Sequence, residues 1–442
     1  MRVIRDIRAL RNRQGFAALE RLYFGDHASD DARRLQLKRF NAVWREIARD
    51  SPFYSSLASR SDVPTHFDSW DDFEQVMPVL DRSALKRNRN RISLPCKRPD
   101  YWRTTGGSTA EPLRLPAWRS EDRLTALDTW FARSWFGVTA SDRLFLLWGH
   151  SHLFGSGIAG RVNSTIRQLK DRSAGYLRFS AYDLSRERLR EAGAKLLRFR
   201  PGYVLGYSGA LHRFALFNRD RASEFGELGL KVAVATGEAF PSPDSAQLIA
   251  EVFGCPVAME YGAVETGAVA HQRPSGEFHV FWGSYYVEGL PTSESSDVLE
   301  VVITALYPRL TPLIRYSIGD LISRDTQNSR IGISFTKVIG RSNDGIILGE
   351  NGFVHSETFT HALRDIEKIH AFQVVQALNQ EITINYTSDE TLPADIIRLI
   401  CHRLCKIDGR LGAISLERVP ELRMTVAGKT KAIVSCVSSD AS

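Results

Sequence analysis

The chain has 442 residues, of which 43% are hydrophobic and 25% are charged, and these values exclude the disordered and fibrous classes of protein. At about 150 residues per domain, the length predicts roughly three structural units. Lys and Arg number 58 against 51 Asp and Glu, and the net charge of +7 favours an anionic partner such as nucleic acid, a nucleotide, coenzyme A or a membrane face. No apolar run reaches about 18 residues, so no transmembrane segment is expected.

The first hundred residues are rich in Arg and carry apolar residues at helical spacing. Residues 1–25 mix charged side chains with Leu, Ile and Phe, and therefore lack the uninterrupted apolar segment of a secretory signal. This pattern favours an amphipathic helix that packs on the rest of the chain, with a membrane-surface helix as the alternative.

Apolar runs and amphipathic helices alternate over the next part of the chain. The predicted strands are Leu144–Trp148, Tyr203–Tyr207, 230–235 and 256–261. The predicted helices between them cover 185–199 and 243–253. Strands that alternate with helices of this length predict a parallel α/β sheet.

From residue 278 onward the pattern changes to strand after strand without long helices. The segments 278–287 and 298–303 predict a β-rich subdomain, and helices at 357–366 and 393–407 predict a smaller α+β unit after it. The fold class is therefore α/β, with a large N-terminal domain over 1–340, helical over 1–100, and a small C-terminal domain over 341–442.

The five cysteines are few and show no framework spacing, so a reducing compartment and a cytoplasmic location are expected. Cys401 and Cys405 lie four residues apart on the apolar face of a predicted helix. This spacing favours a place in the core over a metal clip with His402.

Three glycine-containing segments resemble known motifs only in part. The letters GSGIAG at 155–160 match a dinucleotide fingerprint, but six residues separate them from the preceding strand. Gly428-Lys429-Thr430 ends like a Walker A loop, but Arg423 stands where that loop needs Gly. Position 210 is Ala, so the segment at 206–210 is no nucleophile elbow.

The remaining loop, TTGGSTAEP at 104–112, is rich in hydroxyl groups and glycine. Such a loop offers backbone N–H and side-chain O–H donors together, which suits a polyphosphate. Taken alone it is equally consistent with a solvated polar loop.

Four later segments follow that loop in a fixed order. They are YGAVE at 261–265, PLIRYSIGD at 312–320, GRSND at 340–344 and TVAGK at 425–429. Together with the loop they resemble the adenylate-forming (acyl/aryl-CoA synthetase-like) superfamily. Their residues are most similar to those of its phenylacetate–CoA ligase and capsular polysaccharide biosynthesis branch. The resemblance runs from about residue 101 to residue 431.

The resemblance implies an enzyme that activates a small-molecule carboxylic acid with ATP and Mg²⁺. The acyl-adenylate would then pass to the thiol of coenzyme A or of a carrier protein, or to an amine in an amide-forming ligase. Nucleic acid is not an expected partner, and a homodimer is left open. A nucleic-acid-binding protein and an inactive scaffold of the same fold are the alternatives.

The site residues are likewise implied by the resemblance. The phosphate loop would comprise Thr105, Gly106, Gly107, Ser108 and Thr109. Gly237, Glu238, Tyr261 and Gly262 would border the adenine, and Asp320 would accept hydrogen bonds from the ribose hydroxyls. Glu265 would bind Mg²⁺, an ion that takes few carboxylates beside phosphate oxygens.

Lys429, Glu265 and Arg341 would form the catalytic set. Lys429 would bridge the α-phosphate and the carboxylate, while Arg341 would reach the ribose or a phosphate. Asn343 would be the hinge of a mobile C-terminal domain. The pocket for the acid would be lined by Trp148, His152, Phe154 and Tyr207.

The sequence departs from the family pattern at several positions. Ala110 replaces a usual Gly and Leu113 a frequent Lys, so the loop is expected to be stiffer and less cationic. Val264 removes a hydroxyl beside Glu265, Asn343 stands where Asp or Lys is usual, and Arg423 replaces a frequent Pro. None of these changes removes an implied catalytic group.

Overall fold

The structure is a computed structural model of the full chain. The residues it describes are 2–25, 29–60, 63–95, 97–104, 113–148, 157–181, 184–241, 244–291, 298–323, 335, 337–341, 345–348, 352–355, 359, 362–363, 366, 368–407, 409–423 and 432–435.

The described residues form helices and strands in the alternating order expected for a mixed α/β protein. The helices are α1 (Arg2–Phe24), α2 (Ser29–Asp50), α3 (Pro52–Arg60), α4 (Trp70–Val76), α5 (Arg82–Ile92), α6 (Arg119–Ser134), α7 (Gly157–Ala174), α8 (Arg186–Phe199), α9 (Ser208–Phe217), α10 (Ala222–Gly226), α11 (Ser245–Phe253) and α12 (Ala394–Ile407). The strands are β1 (Tyr101–Thr104), β2 (Arg114–Ala117), β3 (Leu144–Trp148), β4 (Tyr176–Ser180), β5 (Tyr203–Tyr207), β6 (Ala233–Thr236), β7 (Val257–Ala263), β8 (Gly267–Gln272), β9 (Phe278–Val280), β10 (Tyr285–Pro291), β11 (Val298–Ala305), β12 (Tyr316–Ser323), β13 (Val338–Arg341), β14 (Gly345–Leu348), β15 (Gly352–His355), β16 (Ala371–Gln376), β17 (Ile382–Thr387), β18 (Ser415–Arg418) and β19 (Ile433–Ser435). None of these helices combines the length and the apolar character that a membrane crossing requires in the described part of the chain.

The chain divides into two compact units. The first comprises Met1–Arg143, Ser173–Gly175 and Ala258–Val338, and the second comprises Leu144–Arg172, Tyr176–Val257 and Ile339–Ser442. The expected domain boundary between residues 340 and 341 stays a prediction.

The first unit joins the N-terminal helices to antiparallel strands. β10, β11 and β12 pair antiparallel, as do β7, β8 and β9. Helix α1 packs on α6 through contacts such as that of Phe16 with Phe131, 5.6 Å between ring centroids, so the expected docking helix is confirmed. Trp70 stacks on Tyr286 at 3.6 Å, which joins the helices to the strands within one aromatic core.

The predicted β-rich region is confirmed. The segment 278–287 contains strand β9 and the start of β10, with a turn between them. The backbone N–H groups of Ser284 and Tyr285 both donate to the carbonyl of Phe281, at 2.8 and 3.0 Å. A backbone that closes on itself in this way cannot continue a strand.

The second unit contains the expected parallel sheet, in the order β4-β3-β5-β6. Each residue of β5 and of β6 is buried, as expected for strands covered by helices on both faces. Phe145 of β3 and Phe253 of α11 both pack on Phe214 of α9, at 5.5 and 5.1 Å between centroids. Strand β4 was not predicted from the sequence.

The described residues between 371 and 435 form a small α+β layer within the second unit. Its strands lie in the order β18-β17-β16-β19, and α12 supplies Ile400 and Leu404 to the core beneath them. Cys401 and Cys405 lie on α12, where Cys401 is half-buried and Cys405 is exposed. The predicted helix over 393–407 is thus confirmed, whereas most of the one over 357–366 lies outside the described residues.

Candidate active site

A tight hairpin between β7 and β8 carries Glu265. The strands pair up to Ala263 and Gly267, so only residues 264–266 form the turn. Thr266 Oγ1 accepts a hydrogen bond from the Ala263 N–H at 3.0 Å, and Gly267 has a φ of +80°. The turn leaves Val264 46% exposed and buries Glu265, which is 3% exposed.

Gly262 permits this hairpin because its backbone lies against the opposite strand. A Cβ atom at this position would stand 2.1 Å from the carbonyl oxygen of Gly267. The pairing register shifts between Tyr261 and Gly262, which marks a bulge at the same place. Glycine is therefore required here by close contact and not by its φ angle.

The Glu265 carboxylate binds two groups of the first unit. Arg82, the first residue of α5, forms an ion pair with Oε1. The hydroxyl of Tyr316 donates to the same oxygen at 3.3 Å. Asp81 fixes the start of α5, because its carboxylate accepts the N–H of Ala84 at 2.6 Å.

Arg309 holds the backbone of the same turn. Its Nη2 donates to the carbonyl of Glu265 at 2.6 Å, and its Nη1 donates to the hydroxyl of Tyr307 at 2.7 Å. Its Nε donates to the carbonyl of Thr311 at 3.2 Å. Because the guanidinium is buried, these contacts fix the turn in one position.

Arg103 of β1 approaches the turn from the strand that leads into the 104–112 loop. Its Nη1 lies 2.9 Å from Oε2 of the buried Glu121 and 3.5 Å from the carbonyl oxygen of Glu265. Burial alone lowers the pKa of Arg103, but the Glu121 carboxylate raises that pKa above its ordinary value. The end of β1 therefore brings a permanent positive charge to the Glu265 turn.

Tyr261 and Asp320 meet in the same unit. The hydroxyl of Tyr261, on β7, donates to Oδ2 of Asp320, on β12, at 3.1 Å. Gly319 precedes Asp320 with a φ of +77°. Two residues that the sequence assigned to adenine and ribose are thus neighbours.

The second unit gathers other expected site residues at the carboxyl edge of its parallel strands. Trp148 ends β3, Tyr207 ends β5, and Gly237 and Glu238 follow β6. The rings of Trp148 and Tyr207 lie 4.6 Å apart between centroids. This edge is where open α/β sheets usually bind ligands.

The side chain of Glu238, which follows β6, lies against the N-terminus of α9. Its Oε1 accepts the N–H of Gly209 at 2.9 Å, and its carbonyl oxygen accepts the hydroxyl of Ser208 at 2.8 Å. Gly237 has a φ of +81°, a left-handed conformation that glycine adopts easily. The carboxylate therefore binds the Gly209 amide at the positive end of a helix dipole.

Several expected site residues lie outside the described part of the chain. They are Thr105, Gly106, Gly107, Ser108, Thr109, His152, Phe154, Asn343 and Lys429. The backbone of Arg341 lies in β13, and its side chain is also outside the described part of the chain.

Sequence reasoning missed the cations around Glu265. Arg82 is 183 residues away in the sequence, and Arg103 is 162 residues away. Arg309 lies three residues before the segment at 312–320, and this proximity is the only local signal.

The residues of the turn suit a metal ion that arrives with phosphate. In the described part of the chain no group of three or more His, Cys, Asp or Glu could hold a metal ion. Mg²⁺ is commonly bound by one or two carboxylates together with phosphate oxygens and water, and Glu265 supplies one such carboxylate. Its Oε1 is engaged by Arg82, so a cation at that oxygen would replace the contact with Arg82.

Comparisons with known proteins show a similar fold over most of the chain. No family model matches the chain. The chain is 23% identical to Protein CapK of Staphylococcus aureus over 421 residues, which are 91% of this chain and 89% of CapK. It is similar to a 2-hydroxyisobutyryl-CoA ligase in complex with R3-HIB-AMP, with a TM-score of 0.72, 16% identity and coverage of 94% of this chain and 91% of the other. It also resembles the anthranilate CoA ligase AuaEII in complex with anthranoyl-AMP, with a TM-score of 0.50, 16% identity and coverage of 75% and 65%.

Proposed function

The chain has the fold of adenylate-forming CoA ligases, and we propose that it activates a carboxylic acid with ATP and transfers the acyl group to a thiol. The observation that carries the proposal is the Glu265 turn, where a buried carboxylate and the guanidinium groups of Arg82 and Arg103 lie beside the strand leading into the 104–112 loop. Positive charge beside a loop of hydroxyl and amide donors suits the triphosphate of a nucleotide.

The first step joins the acid to the nucleotide. A carboxylate oxygen attacks the α-phosphorus of ATP, a new O–P bond forms, and the bond to pyrophosphate breaks. In this proposal Thr105 to Thr109 hold the outgoing phosphates, and Lys429 draws the two anionic reactants together. Mg²⁺ on Glu265 would supply charge neutralisation when bound.

The nucleoside would be held by the neighbouring pair of Tyr261 and Asp320. A carboxylate can accept hydrogen bonds from both ribose hydroxyls, and the Tyr261 hydroxyl bonded to Oδ2 orients it for that task. Gly237, Glu238 and Gly262 would border the adenine, and Arg341 would contact the ribose or a phosphate. The C-terminal domain over 341–442 would move about Asn343.

The acid would bind at the carboxyl edge of the parallel sheet. Trp148 and Tyr207 offer touching aromatic rings there, and His152 and Phe154 would complete the lining. An aryl or acyl chain suits such a surface, because apolar area removed from water provides most of the affinity for such a ligand.

Exchange of radiolabelled pyrophosphate into ATP, run over a panel of aryl and acyl acids, tests the first step. We expect exchange with at least one acid, its loss in Lys429→Ala, and normal exchange in Lys38→Ala, which changes an exposed lysine on α2. No exchange with any acid contradicts the proposal.

The acceptor is tested by the mass of the product. Coenzyme A, a carrier protein or an amine is supplied with the acid identified by exchange. We expect a thioester with coenzyme A or a carrier protein. An amide as the sole product would instead assign the chain to the amide-forming ligases.

A further inference from the structure

Among the described residues, the guanidinium groups of Arg82, Arg103 and Arg309 lie at the Glu265 turn, and they differ in how they are held. The side chains of Arg309 and Arg103 are 2% and 10% exposed, and both lie beside the buried carboxylate of Glu121. The side chain of Arg82 is 38% exposed and forms an ion pair with the Glu265 carboxylate, which is 4% exposed. Arg82 therefore has the greatest freedom to change partner.

Arg82 occupies one oxygen of the Glu265 carboxylate. The guanidinium is bonded directly to Oε1, and the carboxylate is almost fully removed from solvent. A ligand of Oε1 must therefore displace the guanidinium. Once displaced from Glu265, the guanidinium keeps its charge and can bind another anion.

A nucleotide triphosphate with its divalent cation supplies both a ligand for Glu265 and an anion for Arg82. The contact of Arg103 with the Glu265 carbonyl places the end of β1, and hence the start of the 104–112 loop, beside this ion pair. A phosphate group near Glu265 would lie within reach of the Arg82 side chain without movement of α5. A guanidinium pairs with phosphate through two parallel hydrogen bonds, which a single carboxylate oxygen does not offer.

We propose that Arg82 exchanges partners when the nucleotide binds: it leaves Glu265 and binds the β- and γ-phosphates, while Glu265 takes the accompanying divalent cation. The inference rests on the proposed function and assigns Arg82 to the pyrophosphate half of ATP. In the absence of nucleotide, the ion pair competes with divalent cations for Oε1 of Glu265. AMP lacks the β- and γ-phosphates and therefore offers no ligand to Arg82 in this proposal.

Equilibrium binding of ATP with Mg²⁺ and of AMP tests the first half of the exchange. Arg82→Gln should weaken ATP binding by about tenfold or more while leaving AMP affinity unchanged, and Arg82→Lys should recover part of the loss. Arg87→Gln, an exposed arginine of the same helix, should bind both nucleotides as the wild type does. Equal losses for ATP and AMP, or no loss for ATP, overturn the proposal.

Mg²⁺ alone tests the second half. Without nucleotide it should raise the melting temperature of Arg82→Gln, whose Glu265 is uncovered, and leave the wild type and Arg87→Gln unchanged. The same response in all three proteins overturns the exchange. Because Arg82→Lys keeps a cation beside Glu265, it supplies a folded comparison if Arg82→Gln melts early. If the wild type binds neither ATP nor AMP, the proposed function fails and this inference falls with it.

Discussion

Glu265 and Glu238 are both acids assigned to the nucleotide site, yet they are held by opposite kinds of partner. Glu265 pairs with the partly exposed side chain of Arg82, while Arg309 binds its carbonyl. Glu238 accepts a backbone N–H at the first turn of α9. A side-chain cation can leave and be replaced, whereas a backbone amide cannot move without the helix.

This difference suits different roles for the two carboxylates. In the proposed function, the Glu265 region would combine a backbone held by Arg309 with a carboxylate that exchanges its partner, as a site for a departing anion requires. The Glu238 carboxylate, bonded to the backbone of α9, would make a contact that persists through the reaction. The following changes test each half of this comparison.

The largest effect is expected from Arg309→Gln. It removes a buried cation next to Glu121 and frees the carbonyls of Glu265 and Thr311. Loss of one partner from a buried ionic cluster costs about 3 to 5 kcal/mol. The free energy of unfolding from urea titration measures this cost, with the exposed Arg98→Gln as the control. A change below that of the control would show that the turn is not held by Arg309.

Gly262→Ala should rank second. The new Cβ would stand 2.1 Å from a backbone carbonyl, so the strands of the hairpin must separate. Overpacking of this kind costs about 2 to 3 kcal/mol. Gly226→Ala is the matched control, because nothing lies within 4 Å of the added atom. Equal melting temperatures of the two variants would contradict the required close contact.

The sequence predicted the strands around these two acids better than it predicted the charged partners of Glu265. Strand β3 has the predicted bounds, because five consecutive apolar residues fit a strand covered on both faces. Strand β4 was missed because it mixes Arg178 with apolar residues at the edge of the parallel sheet, where pairing with β3 supplies the order. Local pattern cannot reveal such a strand.

The same limit applies to the site. Glu265, Tyr261 and Asp320 lie in short segments with recognisable spacing, so they were found. The partners of Glu265 come from distant elements, and Arg82 is 183 residues away. Nothing near Arg82 in the sequence distinguishes it from the other arginines of α5, because only the folded chain selects which one meets a carboxylate.

Acidification should weaken the Glu238 region through His212 of α9. Burial lowers the pKa of His212 from 6.5 to about 4, while its Nε2 lies 2.9 Å from the carbonyl oxygen of His370, and His370 and Arg213 add positive charge nearby. Because the unfolded chain binds this proton first, stability is lost as the pH falls below about 6.5 and the loss is complete below about 4.

Unfolding at pH 7 and pH 4.5 measures this loss. The part that depends on His212 is about 2 kcal/mol, so His212→Gln should lose that much less on acidification than the wild type. The exposed His66→Gln serves as the control and should follow the wild type. An identical pH dependence of the wild type and His212→Gln would contradict a neutral, buried His212.

The smallest effect is expected at the acid that the backbone holds. Glu238→Gln keeps an oxygen acceptor for the Gly209 N–H and removes only the charge at the helix N-terminus, which is worth about 0.5 to 1 kcal/mol. AMP affinity should change little for the same reason. Glu265→Gln, in contrast, leaves Arg82 without its carboxylate partner and should reduce both stability and pyrophosphate exchange by a much larger factor. If the two substitutions have equal effects in both measurements, the distinction between an exchangeable and a fixed acid is wrong, because charge alone would then determine what each carboxylate does.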